Sequence, residues 1–142
     1  MEVATIIMKL YLKIKEGLKQ AMAKAIEGYS LSELMKLIET VLNENPSPIE
    51  GVSASYQFTI EGEEEGVYQL RIDSGKALVK EQSEPPADCT LLMSLADFQK
   101  FLLGKLNGTM AFMTGKLKIK GDLSKAIKIE SLLRQYDLKE HL

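Results

Sequence analysis

The segment Val52-Ser53-Ala54-Ser55-Tyr56-Gln57-Phe58-Thr59-Ile60 alternates apolar and polar residues without a break. Successive side chains of an extended chain point to opposite sides. Val52, Ala54, Tyr56, Phe58 and Ile60 therefore share one face, and Ser53, Ser55, Gln57 and Thr59 share the other. This period of two predicts a strand buried on one side only. A sheet with one apolar face needs a second layer to cover it, and the rest of the chain has to supply that layer.

Toward the C-terminus, Gly62-Glu63-Glu64-Glu65-Gly66 predicts a turn whose carboxylates stay hydrated. Val67 to Asp73 and Lys76 to Glu81 predict two further strands, joined by the tight turn Ser74-Gly75. Strands connected so closely pair antiparallel. Pro85-Pro86 marks a loop over 82–88, and Thr90 to Met93 predicts a fourth short strand. Ser94 and Asp97 have the spacing of an N-terminal cap. The helix they open places Leu95, Phe98, Leu102 and Leu106 on one face, with Phe101 beside it, and Asn107-Gly108 as its end. Thr109 to Thr114 suits one short helical turn. Lys116, Lys118 and Lys120 alternate with Leu117 and Ile119, which predicts an edge strand with a wet, basic face. Asp122 is placed to cap a last helix with Ile127, Ile129, Leu132, Leu133 and Tyr136 on its apolar surface.

Toward the N-terminus, Ser30 and Glu33 form a capping box ahead of the stripe Leu31, Leu34, Met35, Ile38, Val41 and Leu42. Asn43 through Pro48 ends that helix, because proline lacks the backbone donor and restricts its predecessor. Residues 1–28 read as an amphipathic, helical extension preceding a domain at 29–142. Ile7, Leu10, Ile14, Leu18, Ala21 and Ala25 fall on one helical face, with Lys9, Lys13, Lys19 and Lys24 mostly off it. The alternation of Leu10, Leu12 and Ile14 also allows a short strand there, but good helix formers over Glu16 to Met22 favour the helix. Helix, several strands, helix, strand, helix is an α+β order.

Composition narrows the function classes. The 142 residues suffice for one domain with a modest core, and 45% hydrophobic with 27% charged residues is a soluble globular balance. A formal net charge of -2 gives no electrostatic case for nucleic acid as a partner. No apolar run reaches membrane-spanning length, the N-terminus lacks the layout of a secretory signal, and Glu140-His141-Leu142 is not a peroxisomal address. Cys89 is the only cysteine, so an intrachain disulfide is excluded and the expected setting is the cytoplasm.

Catalytic and metal constellations are hard to assemble. His141, the only histidine, sits beside the last residue and reads as a solvated tail, so neither a metal site nor a cysteine–histidine pair with Cys89 is expected. No serine lies in a glycine-flanked nucleophile elbow. Gly115-Lys116 fails as a phosphate loop, because six residues separate Gly108 from Gly115 and Leu117 stands where a magnesium-binding hydroxyl belongs. No catalytic residues and no cofactor are expected. The unusual feature is flexible apolar matter concentrated late in the chain: Met93, Phe98, Phe101, Leu102, Leu103, Leu106, Met110, Phe112 and Met113. Pattern alone leaves open whether that matter fills a core or surrounds a hollow.

One block carries a family resemblance. Gly104-Lys105-Leu106-Asn107, then Ala111-Phe112-Met113-Thr114-Gly115-Lys116-Leu117-Lys118-Ile119-Lys120-Gly121-Asp122 and Ala126-Ile127-Lys128, resembles the sterol-carrier-protein-2 family. Upstream, Ala87-Asp88-Cys89-Thr90 resembles that family's approach to its fourth strand, and the likeness extends over 30–138. It implies a five-stranded, mostly antiparallel sheet covered by helices around a hydrophobic tunnel for a sterol, fatty acid, fatty acyl-CoA or isoprenoid. It also implies non-covalent transfer or presentation of that lipid. By similarity, Phe98, Leu102 and Leu106 belong to the helix beside the tunnel, and Met110, Phe112 and Met113 to the short helix after it. Leu117 and Ile119 belong to the last strand, and Ile127 and Leu133 to the closing helix. Where many family members read asparagine-proline-glutamine, this chain has Asn107-Gly108-Thr109, a shorter polar arm in place of a glutamine that lines the cavity in some members.

A hollow joining Phe98, Phe112 and Leu133 is the expectation this lipid-binding reading depends on. The alternative is an accessory module with a filled core, serving a lipid or quinone biosynthetic enzyme. Residues 1–28 have three open roles: covering the tunnel, joining two copies of the chain, or making transient contact with a membrane that the basic row Lys116, Lys118 and Lys120 would assist.

Overall fold

The computed structural model describes residues 2–136 and residue 138, the side chains of 18–25 excepted. The alternating segment forms β1 (Ser53–Glu61), with Ala54, Tyr56, Phe58 and Ile60 buried. It hydrogen-bonds antiparallel to β2 (Gly66–Asp73), which pairs antiparallel with β3 (Lys76–Lys80). On its other edge β1 runs parallel to β4 (Cys89–Ser94), and β4 pairs antiparallel with β5 (Lys118–Gly121). The sheet order is β3-β2-β1-β4-β5. It is thus the expected five-stranded, mostly antiparallel sheet, with the parallel pair at its centre. The β2–β3 hairpin carries the chain away from β1, and the loop over 82–88 brings it back onto the free edge in the same direction.

The buried faces of these strands form one apolar surface: Tyr56, Phe58 and Ile60 from β1, Leu70 and Ile72 from β2, Leu91 and Met93 from β4. Helices cover it. One N-terminal helix, α1 (Glu2–Glu27), precedes α2 (Leu31–Glu44), which packs on β2 and β3. Two polar side chains of α2 serve the edge strand directly. Glu39 accepts from the Val79 N–H at 2.7 Å, while Asn43 accepts from the Ala77 N–H and donates to its carbonyl, both at 2.8 Å. A short 3-10 turn, Ser47–Ile49, follows. α3 (Leu95–Leu102) lies on β1 and β4, with the Phe98 ring 5.6 Å from that of Phe58. α4 (Gly108–Met113) and α5 (Leu123–Gln135) complete the cover, α5 lying on β4 and β5.

The expected caps are present, and one has an addition. The Ser30 hydroxyl accepts from the Glu33 N–H and the Glu33 carboxylate accepts from the Ser30 N–H, each at 3.1 Å. Glu64, from the acidic turn expected to stay hydrated, accepts from the Leu31 N–H at 3.0 Å and is half-buried. One of the three carboxylates is thus a tertiary cap on the positive end of α2. Asp122 caps α5 through the Ser124 N–H at 3.0 Å.

One boundary differs from expectation. The helix predicted to run through Leu106 stops at Leu102. Gly104 adopts φ +71, the Lys105 N–H donates to the Lys100 carbonyl at 2.8 Å, and the Gly104 N–H donates to the Phe101 carbonyl at 3.1 Å. This left-handed glycine cap satisfies the last carbonyls and turns the chain. Leu106 therefore lies in a loop, and Asn107 opens α4 by accepting from the Met110 N–H instead of closing α3.

The opposite sheet face is polar and is knitted by amides. Gln69, 1% exposed, donates to Gln57 at 3.1 Å and to the Pro85 carbonyl at 2.7 Å, and accepts from Arg71 at 2.9 Å. At the end of that face the Ser55 N–H donates to Asp88 and the Asp88 N–H donates to the Ser55 hydroxyl, both at 2.9 Å. Lys125 of α5 approaches the same carboxylate at 3.4 Å. This clip joins β1, the start of β4 and α5.

The chain divides into two compact units at Tyr29–Ser30. In the first, every described side chain of α1 from Glu2 to Gly17 is exposed, including Val3, Ile7, Leu10 and Ile14. The side chains of Leu18, Lys19, Ala21, Lys24 and Ala25, and all of His141, lie outside the described residues. Among the described residues no helix is long and apolar enough to cross a membrane.

Ser30→Ala removes the cap of α2 and is expected to lower stability by about 1 kcal/mol in urea titration, with an unchanged denaturant slope. The Ser55 N–H, aided by Lys125 and against the effect of burial, holds the Asp88 carboxyl below the ordinary value of 3.8. A depressed folded-state pKa contributes stability above the unfolded value and loses it as pH falls through the folded one. Asp88→Asn should therefore be less stable than the parent at neutral pH, and the gap in urea midpoints should close below about pH 3.8.

Candidate functional site

Helical cover is thin at one edge of the sheet. β5 is four residues long and α4 six, so beside the longer α5 the cover over the β4–β5 side is short. Leu91 and Ile119 are register partners there, and Leu117 precedes the strand. α5 returns across them, presenting Leu123, Ala126, Ile127 and Glu130 in successive turns. With Phe101, Gly108, Thr109 and Phe112 these residues enclose a cleft of about 140 Å³. Its lining is apolar except for Thr109 and Glu130, and Glu130 lies against the Gly108 backbone.

The rim is unusual for a soluble surface. Phe112 is 46% exposed, Leu123 49% and Ile127 64%, and Met110 and Met113 stand out from α4 beside them. Single exposed apolar side chains are ordinary, whereas a cluster around an opening marks a contact site. A second hollow of about 310 Å³ shares Phe101 with the cleft. Leu102, Leu103 and Gly104 line it from the end of α3, with Leu133, Arg134, Gln135 and Tyr136 from the end of α5, and Leu138.

The structure sorts the sequence-predicted residues into groups. Phe112, Leu117, Ile119 and Ile127 line the cleft. Leu102 and Leu133 line the neighbouring hollow. Phe98 is fully buried against Phe58 and lines neither space, so Phe98, Phe112 and Leu133 are not joined around one of these hollows. Leu106 stands in the loop between α3 and α4, and Met110 and Met113 are exposed outside the lining.

Leu91, Phe101, Thr109, Leu123, Ala126 and Glu130 were not among the candidates and also line the cleft. Leu123 and Glu130 lie four and three residues from Ile127, and Ala126 three from Leu123, a helical spacing that could have found them. Leu91 required knowing that β4 pairs with β5.

The polar groups at the cleft are few. Glu130 Oε1 accepts from the Gly108 N–H at 3.3 Å and from Arg134 at 2.7 Å. Deeper in the fold, Tyr56 and Cys89 are register partners. Burial first, then the nearby carboxylates Asp122 and Asp88, pushes the Cys89 thiol up to about 11. Burial likewise pushes the Tyr56 hydroxyl up to about 12, helped by Cys89 and the same two carboxylates. Both hold their protons at neutral pH, so neither supplies an anionic nucleophile there.

This sheet, its one-sided helical cover and an apolar cleft at the weakly covered edge belong to a known class. The chain matches the model of the SCP-2 sterol transfer family over residues 33–134, and it belongs to that family. Hydroxysteroid dehydrogenase-like protein 2 of Xenopus tropicalis is 41% identical over 122 residues, which cover 84% of this chain and 28% of that protein. The chain spans less than a third of the length of the first such relatives it matches. The solution structure of sterol carrier protein domain 2 from Helicoverpa armigera is 31% identical with a TM-score of 0.62, over 73% of this chain and 85% of that one. Apo sterol carrier protein 2 from Yarrowia lipolytica is 28% identical with a TM-score of 0.61, over 78% of this chain and 94% of that one. Membership in the family makes lipid binding or transfer the general function.

Phe101 is buried and lines both hollows, so truncating it tests what it contributes to packing. Phe101→Ala should cost about 3–5 kcal/mol by the usual large-to-small cost in a core, read as a lower urea midpoint.

Proposed function

We propose that this domain seats the aliphatic part of one lipid in the cleft between α4, α5 and β5, and hands it on without covalent chemistry. The observation that carries the reading is the apolar rim of Phe112, Leu123 and Ile127, exposed around an apolar cleft, in place of the single hollow expected among Phe98, Phe112 and Leu133. Each buried methylene contributes about 0.8 kcal/mol before ordering costs. The cleft alone, at about 140 Å³, is smaller than the roughly 300–1,000 Å³ of ordinary ligand pockets. A full-length chain would therefore extend past Phe101, which both spaces share, into the hollow beside Leu133.

Release at a bilayer needs no chemistry, because the membrane interior is an equally apolar destination. The exposed Lys116, Lys118 and Lys120 would favour contact with anionic headgroups. Presentation to an enzyme is the second reading. It is favoured by the length of the Xenopus tropicalis relative, of which the match covers 28%. A module of this kind within a longer chain delivers its lipid to neighbouring machinery.

Native mass spectrometry of the purified protein, with solvent extraction of whatever dissociates, should recover one lipid per chain. The uncharged fluorophore N-phenylnaphthylamine should bind the delipidated protein. Phe112→Ser and Ile127→Ser should each weaken that binding about tenfold, with little change in melting temperature because both side chains are already largely exposed. Lipid-free protein that also ignores the fluorophore would refute the reading.

A further inference from the structure

In the cleft lining, Glu130 lies across the α-carbon of Gly108. A Cβ built at position 108 would collide with Glu130 Oε2 and crowd the rest of the carboxylate. Glycine at this position is what lets the carboxylate settle there. Oε1 is occupied twice, by the Gly108 N–H and by Arg134. Oε2 accepts no hydrogen bond among the described residues and belongs to a side chain lining the cleft. A carboxylate oxygen is a pure acceptor, so the site asks for a donor.

The charge sets a second condition. An anionic head entering beside Glu130 would face its carboxylate among apolar lining residues, where repulsion is poorly screened. Arg134 offers little help: its guanidinium is turned onto Glu130 at 2.7 Å, and an incoming carboxylate would have to break that pair. We infer that Glu130, held over Gly108, makes this cleft select neutral lipids with a hydroxyl head over lipids with a carboxylate head. The inference rests on the lipid-binding reading above and narrows its ligand class.

Displacement of N-phenylnaphthylamine by decanol and by decanoate tests it, at about pH 8 where the acid is fully charged. The parent protein should bind decanol about tenfold more tightly than decanoate. Glu130→Gln should bring the two within about twofold, chiefly by tightening decanoate. Gly108→Ala should narrow the gap too, although it leaves the number of charges unchanged, because the added methyl displaces the flexible end of Glu130. Melting temperatures close to the parent's would show that both variants fold. Equal affinities in the parent, or a gap that survives both substitutions, overturns the selectivity and leaves lipid binding standing. A parent protein that binds neither the fluorophore nor either competitor overturns both readings.

Discussion

Tyr56, Phe58 and Ile60 project from one side of β1, and keeping that side out of water governs everything stacked on it. Their neighbours in register, Leu70 and Ile72 on one strand and Leu91 and Met93 on the other, extend the apolar face across the sheet. Helices then collect on this face, where their stripes find apolar partners. The other face needs no such cover. There, Gln57, Gln69 and Arg71 satisfy one another and the Pro85 carbonyl, and a buried amide such as that of Gln69 is tolerated because its hydrogen bonds are made.

The same one-sidedness explains where the candidate site lies. α2 packs on β2 and β3 and α3 on β1 and β4, with the Phe98 ring against that of Phe58. The β5 edge has only the six-residue α4 and the flank of α5 above it. Short elements bury less area, so apolar side chains are left at the surface around a space they do not fill. The cleft is thus a consequence of unequal cover over a continuous greasy sheet. The acidic side chain in its lining, Glu130, is tied to the backbone of α4 and to Arg134.

Much of the architecture was legible because it is local. The alternation around Tyr56, the capping box at Ser30 and the Asp122 cap each depend on residues within a turn or two of one another, and each stands where expected. The end of α3 shows how that reasoning goes astray. Leu95, Phe98, Leu102 and Leu106 keep perfect helical spacing, yet Gly104 takes a left-handed conformation and stops the helix between the last two. A glycine inside an apolar period is tolerated in some helices and terminates others, and the hydrogen bonds that close this end are not visible in the period. Glu64 is a similar case. Its neighbours mark a turn, but its use as a cap for α2 depends on where the β1–β2 hairpin tip lies.

The sequence by itself determined the α+β order, the faces of the strands and helices, and, through the block from Gly104 to Asp122, the resemblance to a lipid-carrying family. These are properties of periodicity and short-range chemistry, which neighbouring residues settle among themselves. Only the tertiary structure decided which of the late apolar residues fill space and which surround it. Phe98 went into the packed core, Phe112 and Ile127 to the rim of a cleft, and Leu133 to a second hollow that Phe101 also lines. A void is what remains when elements far apart in the chain meet imperfectly. Its position therefore depends on strand register, helix length and the course of loops together, and no single stretch of residues encodes it.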